Sequence, residues 1–207
     1  MLIKICGITS QEMARTAAEA GADIIGFVFA RSKRQITPEK AASIARTLPS
    51  FVKTAGVFVN EDIEKMRAIS EMAELDYIQL HGEEPPSIAN KLNRNIIKAF
   101  SSEQISSINE ENHHYEYCLV DGPALENRGG NGKTFDWTLT RDLPKERFIL
   151  AGGLTPENVQ QAIEFVQPAG VDVSSGVETN GVKDPEKIKQ FIENAKGGKR
   201  IEKLYNA

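Results

Sequence analysis

Three stretches of this chain carry side chains able to move protons at or next to the end of an apolar run. Lys4-Ile5-Cys6-Gly7 ends on a thiol, Tyr117-Cys118-Leu119-Val120-Asp121 ends on a carboxyl, and Gly170-Val171-Asp172-Val173 places a second carboxyl one residue before its end. A thiolate beside cations or a helix N-terminus serves as a base or nucleophile. A carboxyl in a partly desolvated mouth holds its proton to higher pH and serves as an acid. Each residue also has an ordinary reading: free cysteine is usually a small buried hydrophobe, and Asp before Gly122-Pro123 is often a turn cap. Three such groups at equivalent strand ends weigh against a purely structural account of all of them. His81, at the end of Gln79-Leu80-His81, is placed to line the same mouth. Cys118 has the opposite strand parity from Asp121 and belongs to packing.

Two glycine-rich turns supply a different chemistry. Gly152-Gly153 and Ser174-Ser175-Gly176 each follow a short apolar run late in the chain. Glycine lets backbone N–H groups approach a phosphate, and serine adds hydroxyl donors. Gly129-Gly130-Asn131-Gly132-Lys133-Thr134 superficially resembles a P-loop, but Asn127 stands where that motif needs its first glycine. A lid closing over substrate is the expected role of that segment. His113 and His114 precede a strand at the far end, with no further ligands near them to make a zinc site.

The elements needed to position these groups alternate along the whole chain. Strands are expected at 2–6, 23–29, 51–59, 77–80, 95–100, 115–121, 147–151 and 170–173, giving eight strand-helix units. Helices are expected at 11–20, capped by Thr9 or Ser10, and at 61–72, with others opened by Thr37-Pro38-Glu39, Thr155-Pro156-Glu157 and Asp184-Pro185-Glu186. Strands alternating with helices imply a parallel sheet. The first turn lacks the glycine fingerprint of an open doubly wound sheet, so eight units favour a closed (β/α)8 TIM barrel of near-minimal length, below the typical ~250 residues. One domain spans residues 1–207, with 196–207 a C-terminal extension. In such barrels the site lies where strands end, and the loops after strands seven and eight often hold phosphate. Strand parity turns Lys4 and Cys6 inward, with Ile3 and Ile5 outward under the helices.

Composition limits the partners. The 207 residues include 29 acidic and 25 basic side chains, a net charge of −4, with 40% apolar and 26% charged residues. Disorder is not expected from such a composition. Clustered basic charge is confined to Arg31, Lys33 and Arg34, enough for a small anion but not a nucleic-acid track. No run approaches the roughly 20 apolar residues of a membrane span. Two cysteines fit a reducing compartment, and a cytoplasmic location is expected. No motif points to a protein partner.

Six blocks together resemble the signature of the phosphoribosylanthranilate isomerase family, in its order from first strand to eighth. They are Lys4 to Thr9; Phe27-Val28-Phe29 with Ser32-Lys33-Arg34; Gln79 to Gly82; Gly129 to Trp137; Leu150 to Leu154; and Asp172 to Glu178. The resemblance implies an Amadori rearrangement of a small phosphorylated substrate in tryptophan biosynthesis, with neither metal nor organic cofactor. It implies Cys6 as general base and Asp121 as general acid. Arg34 would hold the anthranilate carboxylate, and Asp172 would bind near the substrate amine. From their positions alone, His81 at the mouth and Lys4 as part of a local positive field are also expected to meet substrate. Gly152, Gly153, Ser174, Ser175 and Gly176 would hold the phosphate. Two other readings remain: the related aminoaldose isomerase of histidine biosynthesis or a bifunctional version serving both pathways, against which Cys6 argues because that group places Asp there, and a phosphate-binding barrel without chemistry.

Overall fold

The computed structural model describes residues 1–108, 114–122 and 135–197. Eight parallel strands close into a barrel in sequence order: β1 (Leu2–Cys6), β2 (Ile24–Val28), β3 (Lys53–Phe58), β4 (Tyr77–Leu80), β5 (Asn95–Ser101), β6 (Tyr117–Asp121), β7 (Phe148–Leu150) and β8 (Gly170–Val173). β8 returns to β1 with Lys4 beside Asp172, and β1 meets β2 with Cys6 beside Gly26. The strand positions match expectation; several strands end one or two residues from the expected boundaries.

Four crossovers and the segment after β8 carry α-helices: α1 (Gln11–Ala20), α2 (Pro38–Ala45), α3 (Ile63–Met72), α4 (Val159–Val166) and α5 (Pro185–Ala195). Side chains start most of them as the sequence suggests. Ser10 accepts from Met13 N, Thr37 from Lys40 N, and Asp184 from Glu186 N and Lys187 N, satisfying amides that lack an intrahelical partner. Two expectations need correction. The crossovers after β4, β5 and β6 contain 3₁₀ turns among their described residues, at Pro86–Lys91, Ser102–Ser107 and Trp137–Thr140, instead of α-helices. Serine side chains compete there for backbone groups: Ser101 builds a capping box with Gln104 around a six-residue turn. The helix expected to open at Thr155-Pro156-Glu157 begins at Val159, because the Asn158 amide spans the turn. Its Oδ1 accepts from Thr155 N (2.8 Å) and its Nδ2 donates to Gly153 O (2.9 Å).

Alternation along the strands builds two apolar layers. Outward residues such as Ile3, Ile5, Ile25, Phe27, Val171 and Val173 pack under the helices, where Ala14, Ala17, Ile188 and Phe191 meet them. Inward residues Ile97, Ala99, Leu119, Ile149 and Ala151 fill one side of the barrel, with Tyr77 and Tyr117 against them. Burying each such Ile or Phe contributes about 1.5–3 kcal/mol. This packing fixes the strands rigidly enough to hold polar groups at their C-terminal ends. Cys118 is buried in the outer layer, and burial pushes its thiol up to about 11, as a packing residue requires. Among the described residues, no helix is long and apolar enough to cross a membrane. Of the expected C-terminal extension, 198–207 lie outside the described residues, as do His113 and Gly129 through Thr134.

Candidate active site

The inward parity of β1 and β8 brings Lys4, Cys6 and Asp172 together. Lys4 Nζ donates to Asp172 Oδ1 at 2.9 Å, and Lys4 also hydrogen-bonds Cys6. Lys4 is 0% exposed. Its buried ammonium is thus the counter-charge of Cys6 and Asp172. Burial lowers the Lys4 pKa, but the charges and hydrogen bonds of Asp172 and Cys6 outweigh it and leave it raised. For Cys6 the balance runs the other way. Burial pushes the thiol up and Asp172 adds to this, while Lys4 and Lys183 pull it down; the net shift is upward. The cations expected to stabilise a thiolate are present, yet desolvation wins in the free protein.

Gly26, beside Cys6 in the next strand, makes the space for the sulfur. A Cβ built there would lie 2.8 Å from Cys6 Sγ.

On β6, Asp121 Oδ1 accepts from Gly122 N at 2.8 Å, and Oδ2 lies 3.4 Å from His81 Nε2 at the end of β4. The other ring nitrogen, Nδ1, is 2.8 Å from Gln79 Nε2. The turn after β7 packs directly onto this carboxyl: a Cβ at Gly152 would stand 2.4 Å from Gly122 N and 3.1 Å from Asp121 Oδ1. Gly152 also has φ +77°, so both space and backbone conformation demand glycine. The turn after β8 touches the turn after β7 in the same way, since a Cβ at Gly176 would overlap Leu154 O at 1.8 Å. Gly152, Gly153, Ser174, Ser175 and Gly176 thus form one surface at the barrel mouth, where two turns rich in backbone N–H groups can face a phosphate.

Arg34, after β2, is buried, and its guanidinium forms a bidentate pair with Glu178: Nε to Oε1 at 2.5 Å and Nη2 to Oε2 at 3.0 Å. Among the described residues Nη1 makes no hydrogen bond. Lys183 Nζ donates to Glu178 Oε1 and to Ser174 O, both at 2.8 Å, and Ser174 Oγ donates to Cys6 O at 3.1 Å. Burial raises the Glu178 carboxyl, but Arg34 and Lys183 together hold it at about 2. Lys183 is itself lowered, by burial first, against the pull of Glu178 and Cys6. This cluster ties the ends of β1 and β8 to the loop after β2, leaving two buried cations on one carboxylate.

Sequence reasoning did not single out Lys183, Gln79 or Gly26, and it used Glu178 only as part of a motif. For the first the signal was present. Asn180-Gly181 is a two-residue hairpin turn, with φ of 53° and 79°, between β9 (Glu178–Thr179) and β10 (Val182–Lys183). Its register sets Lys183 opposite Glu178, an opposite-charge cross-strand pair. The ion pair of Lys98 with Glu84 (2.9 Å), buried on the outward side of the middle of β5, was also not foreseen.

Residues 3–194 match the family model of N-(5'-phosphoribosyl)anthranilate (PRA) isomerase. The chain belongs to the N-(5'-phosphoribosyl)anthranilate isomerase family. It is 50% identical over 202 residues to the enzyme of that name from Listeria monocytogenes serotype 4b, covering 95% of this chain and 99% of that relative. The crystal structure of phosphoribosyl anthranilate isomerase from Thermotoga maritima superimposes with a TM-score of 0.83 at 43% identity, over 95% of this chain and all of that one. A crystal structure of phosphoribosyl anthranilate isomerase in complex with reduced 1-(o-carboxyphenylamino)-1-deoxyribulose 5-phosphate aligns with a TM-score of 0.80 at 41% identity, over 95% of this chain and all of that one. The isomerase family's barrel is thus the frame in which the thiol, the carboxyls and the glycine turns of this chain meet.

Proposed function

We propose that this chain isomerises N-(5'-phosphoribosyl)anthranilate to 1-(2-carboxyphenylamino)-1-deoxy-D-ribulose 5-phosphate, the Amadori step of tryptophan biosynthesis. The observation that carries this reading is the convergence of Cys6, Asp121, Asp172, Arg34 and two glycine turns on one barrel mouth in a member of this family. The turns after β7 and β8 hold the phosphate on backbone N–H groups and the Ser175 hydroxyl, the Ser174 hydroxyl being engaged with Cys6 O. Nη1 of Arg34 meets the anthranilate carboxylate, while Glu178 holds the other edge of the guanidinium. These remote contacts fix the sugar between acid and base.

Asp121 then donates a proton to the ring oxygen as the C1–O bond breaks and the anilino nitrogen's lone pair forms the C=N bond of an iminium ion. Asp172 is placed to stabilise that cationic nitrogen. Cys6, as the thiolate, removes the proton from C2, and the C–H electrons form the C1=C2 bond of an enolamine. Protonation at C1 and loss of the hydroxyl proton at C2 complete the ketose. Each step is a proton transfer that these side chains can supply, typically worth ~10²–10⁴-fold apiece. Because burial raises the Cys6 pKa, only its deprotonated fraction reacts from the free protein, and the iminium cation favours that form once it has been generated.

The test is loss of anthranilate-type fluorescence when purified protein meets phosphoribosylanthranilate, with the histidine-pathway aminoaldose as comparison. Turnover of the former alone supports the reading. Comparable turnover of both, or of neither, overturns it.

A further inference from the structure

Gln79 is 1% exposed, facing into the barrel from β4 between Val57 and Ile97 on the neighbouring strands. A polar side chain buried there needs a reason. Its Nε2 lies 2.8 Å from His81 Nδ1, and its Oε1 has no hydrogen-bond partner among the described residues. An amide nitrogen carries hydrogens and no available lone pair, so it donates, and Nδ1 must accept. A neutral imidazole has a single N–H, which is thereby placed on Nε2. Nε2 is the atom that faces Asp121 Oδ2, 3.4 Å away. Turning the amide over would leave a bare Nε2 lone pair facing Oδ2, acceptor against acceptor once Asp121 has given up its proton.

We infer that Gln79 is a positioning residue that fixes the tautomer of His81, so that an N–H and not a lone pair faces Asp121. The inference rests on the reading of Asp121 as proton donor. As Asp121 releases its proton to the sugar ring, negative charge grows on the carboxyl. Gly122 N already donates to Oδ1, and His81 Nε2–H stands ready at Oδ2. The Gly122 bond strengthens as that charge develops and the His81 N–H is drawn toward Oδ2, so both donors favour the transition state over the ground state. The long 3.4 Å separation fits a donor that contributes little at rest and tightens during proton transfer. The opposite tautomer would repel the same developing charge.

The test uses full-length protein carrying ¹⁵N-labelled histidine, of which the chain has three, with Gln79→Met and Gln79→Glu variants. The wild-type spectrum is expected to show His81 protonated at Nε2 with a bare Nδ1. Gln79→Glu, whose carboxylate can only accept, is expected to put a proton on Nδ1. Both variants should lose about tenfold to a hundredfold in kcat, with KM within about twofold, the size expected for loss of a hydrogen bond to a charged group. A wild-type His81 protonated at Nδ1 alone would overturn the inference even if neither variant folds. So would a Gln79→Glu protein whose ring is protonated at Nδ1 alone but whose kcat is unchanged. Asp121→Asn separates the two claims: if it stays active, the proton-donor reading fails, whereas an inactive Asp121→Asn beside fully active Gln79 variants removes only the role of Gln79.

Discussion

Replacing Gly26 with alanine asks how much the seat of the Cys6 sulfur matters. The new Cβ would lie 2.8 Å from Cys6 Sγ, 3.1 Å from its Cα and 3.2 Å from its Cβ. Carbon contacts reach their optimum at about 3.5 Å or more, so the sulfur must yield by roughly 0.7 Å or the two strands must part. A displacement of about 1 Å at a reacting atom can cost ~10²-fold, which sets the expected loss in kcat at about tenfold to a hundredfold. Overpacking of this kind costs about 1–3 kcal/mol in stability, partly offset by the lower chain entropy of alanine in the unfolded state. The assay is turnover by fluorescence together with thermal melting. A folded Gly26→Ala protein with kcat within about threefold of wild type would refute the claim that this thiol acts from a fixed position.

Other substitutions probe the charges around that thiol. Since burial and Asp172 raise the Cys6 pKa above its usual 9.0 against Lys4 and Lys183, the thiolate absorbance of Cys6 in the free Cys118→Ala protein should still be rising above pH 9; a Cys6 thiolate fully formed at about pH 7 would contradict this. Glu178→Gln leaves Arg34 and Lys183 buried without their carboxylate and should destabilise the protein by about 3–5 kcal/mol in urea unfolding at neutral pH. Because the Glu178 carboxyl is held at about 2, below the ordinary 4.5, its contribution is complete above pH 4.5 and lost as pH falls through about 2, so the difference between wild type and variant should shrink in acid. Arg34→Ala should raise KM by at least about tenfold through lost contact with the substrate carboxylate; KM and kcat both unchanged would remove Arg34 from that role.

Much of this site is written in strand parity. The alternation in Leu2 to Cys6 and Tyr117 to Asp121 points Cys6 and Asp121 into the barrel and Cys118 out of it, and the fold places all three so. The two late glycine turns are legible because their ordinal positions match the mouth of a closed barrel. Parity says nothing of side-chain pairing, however. That Lys4 is wholly engaged with Cys6 and Asp172, or that Arg34 spends one edge on Glu178, depends on residues brought together across 168 and 144 positions. The crossovers after β4 to β6 misled for another reason. Their amphipathic spacing suits a helix, but Pro85-Pro86 and the serines around 101–107 favour tight turns that satisfy the backbone locally. The hairpin at Asn180-Gly181 is the clearest signal passed over, and it sets the Glu178–Lys183 pair beside the mouth.

The central claim is that Cys6 removes the C2 proton. Single-turnover consumption of phosphoribosylanthranilate, with enzyme in excess, measures that step apart from product release. Cys6→Ala is expected to bind product nearly as wild type does but to consume substrate at least roughly a hundredfold more slowly. A Cys6→Ala protein that turns substrate over at a near-normal rate would contradict it.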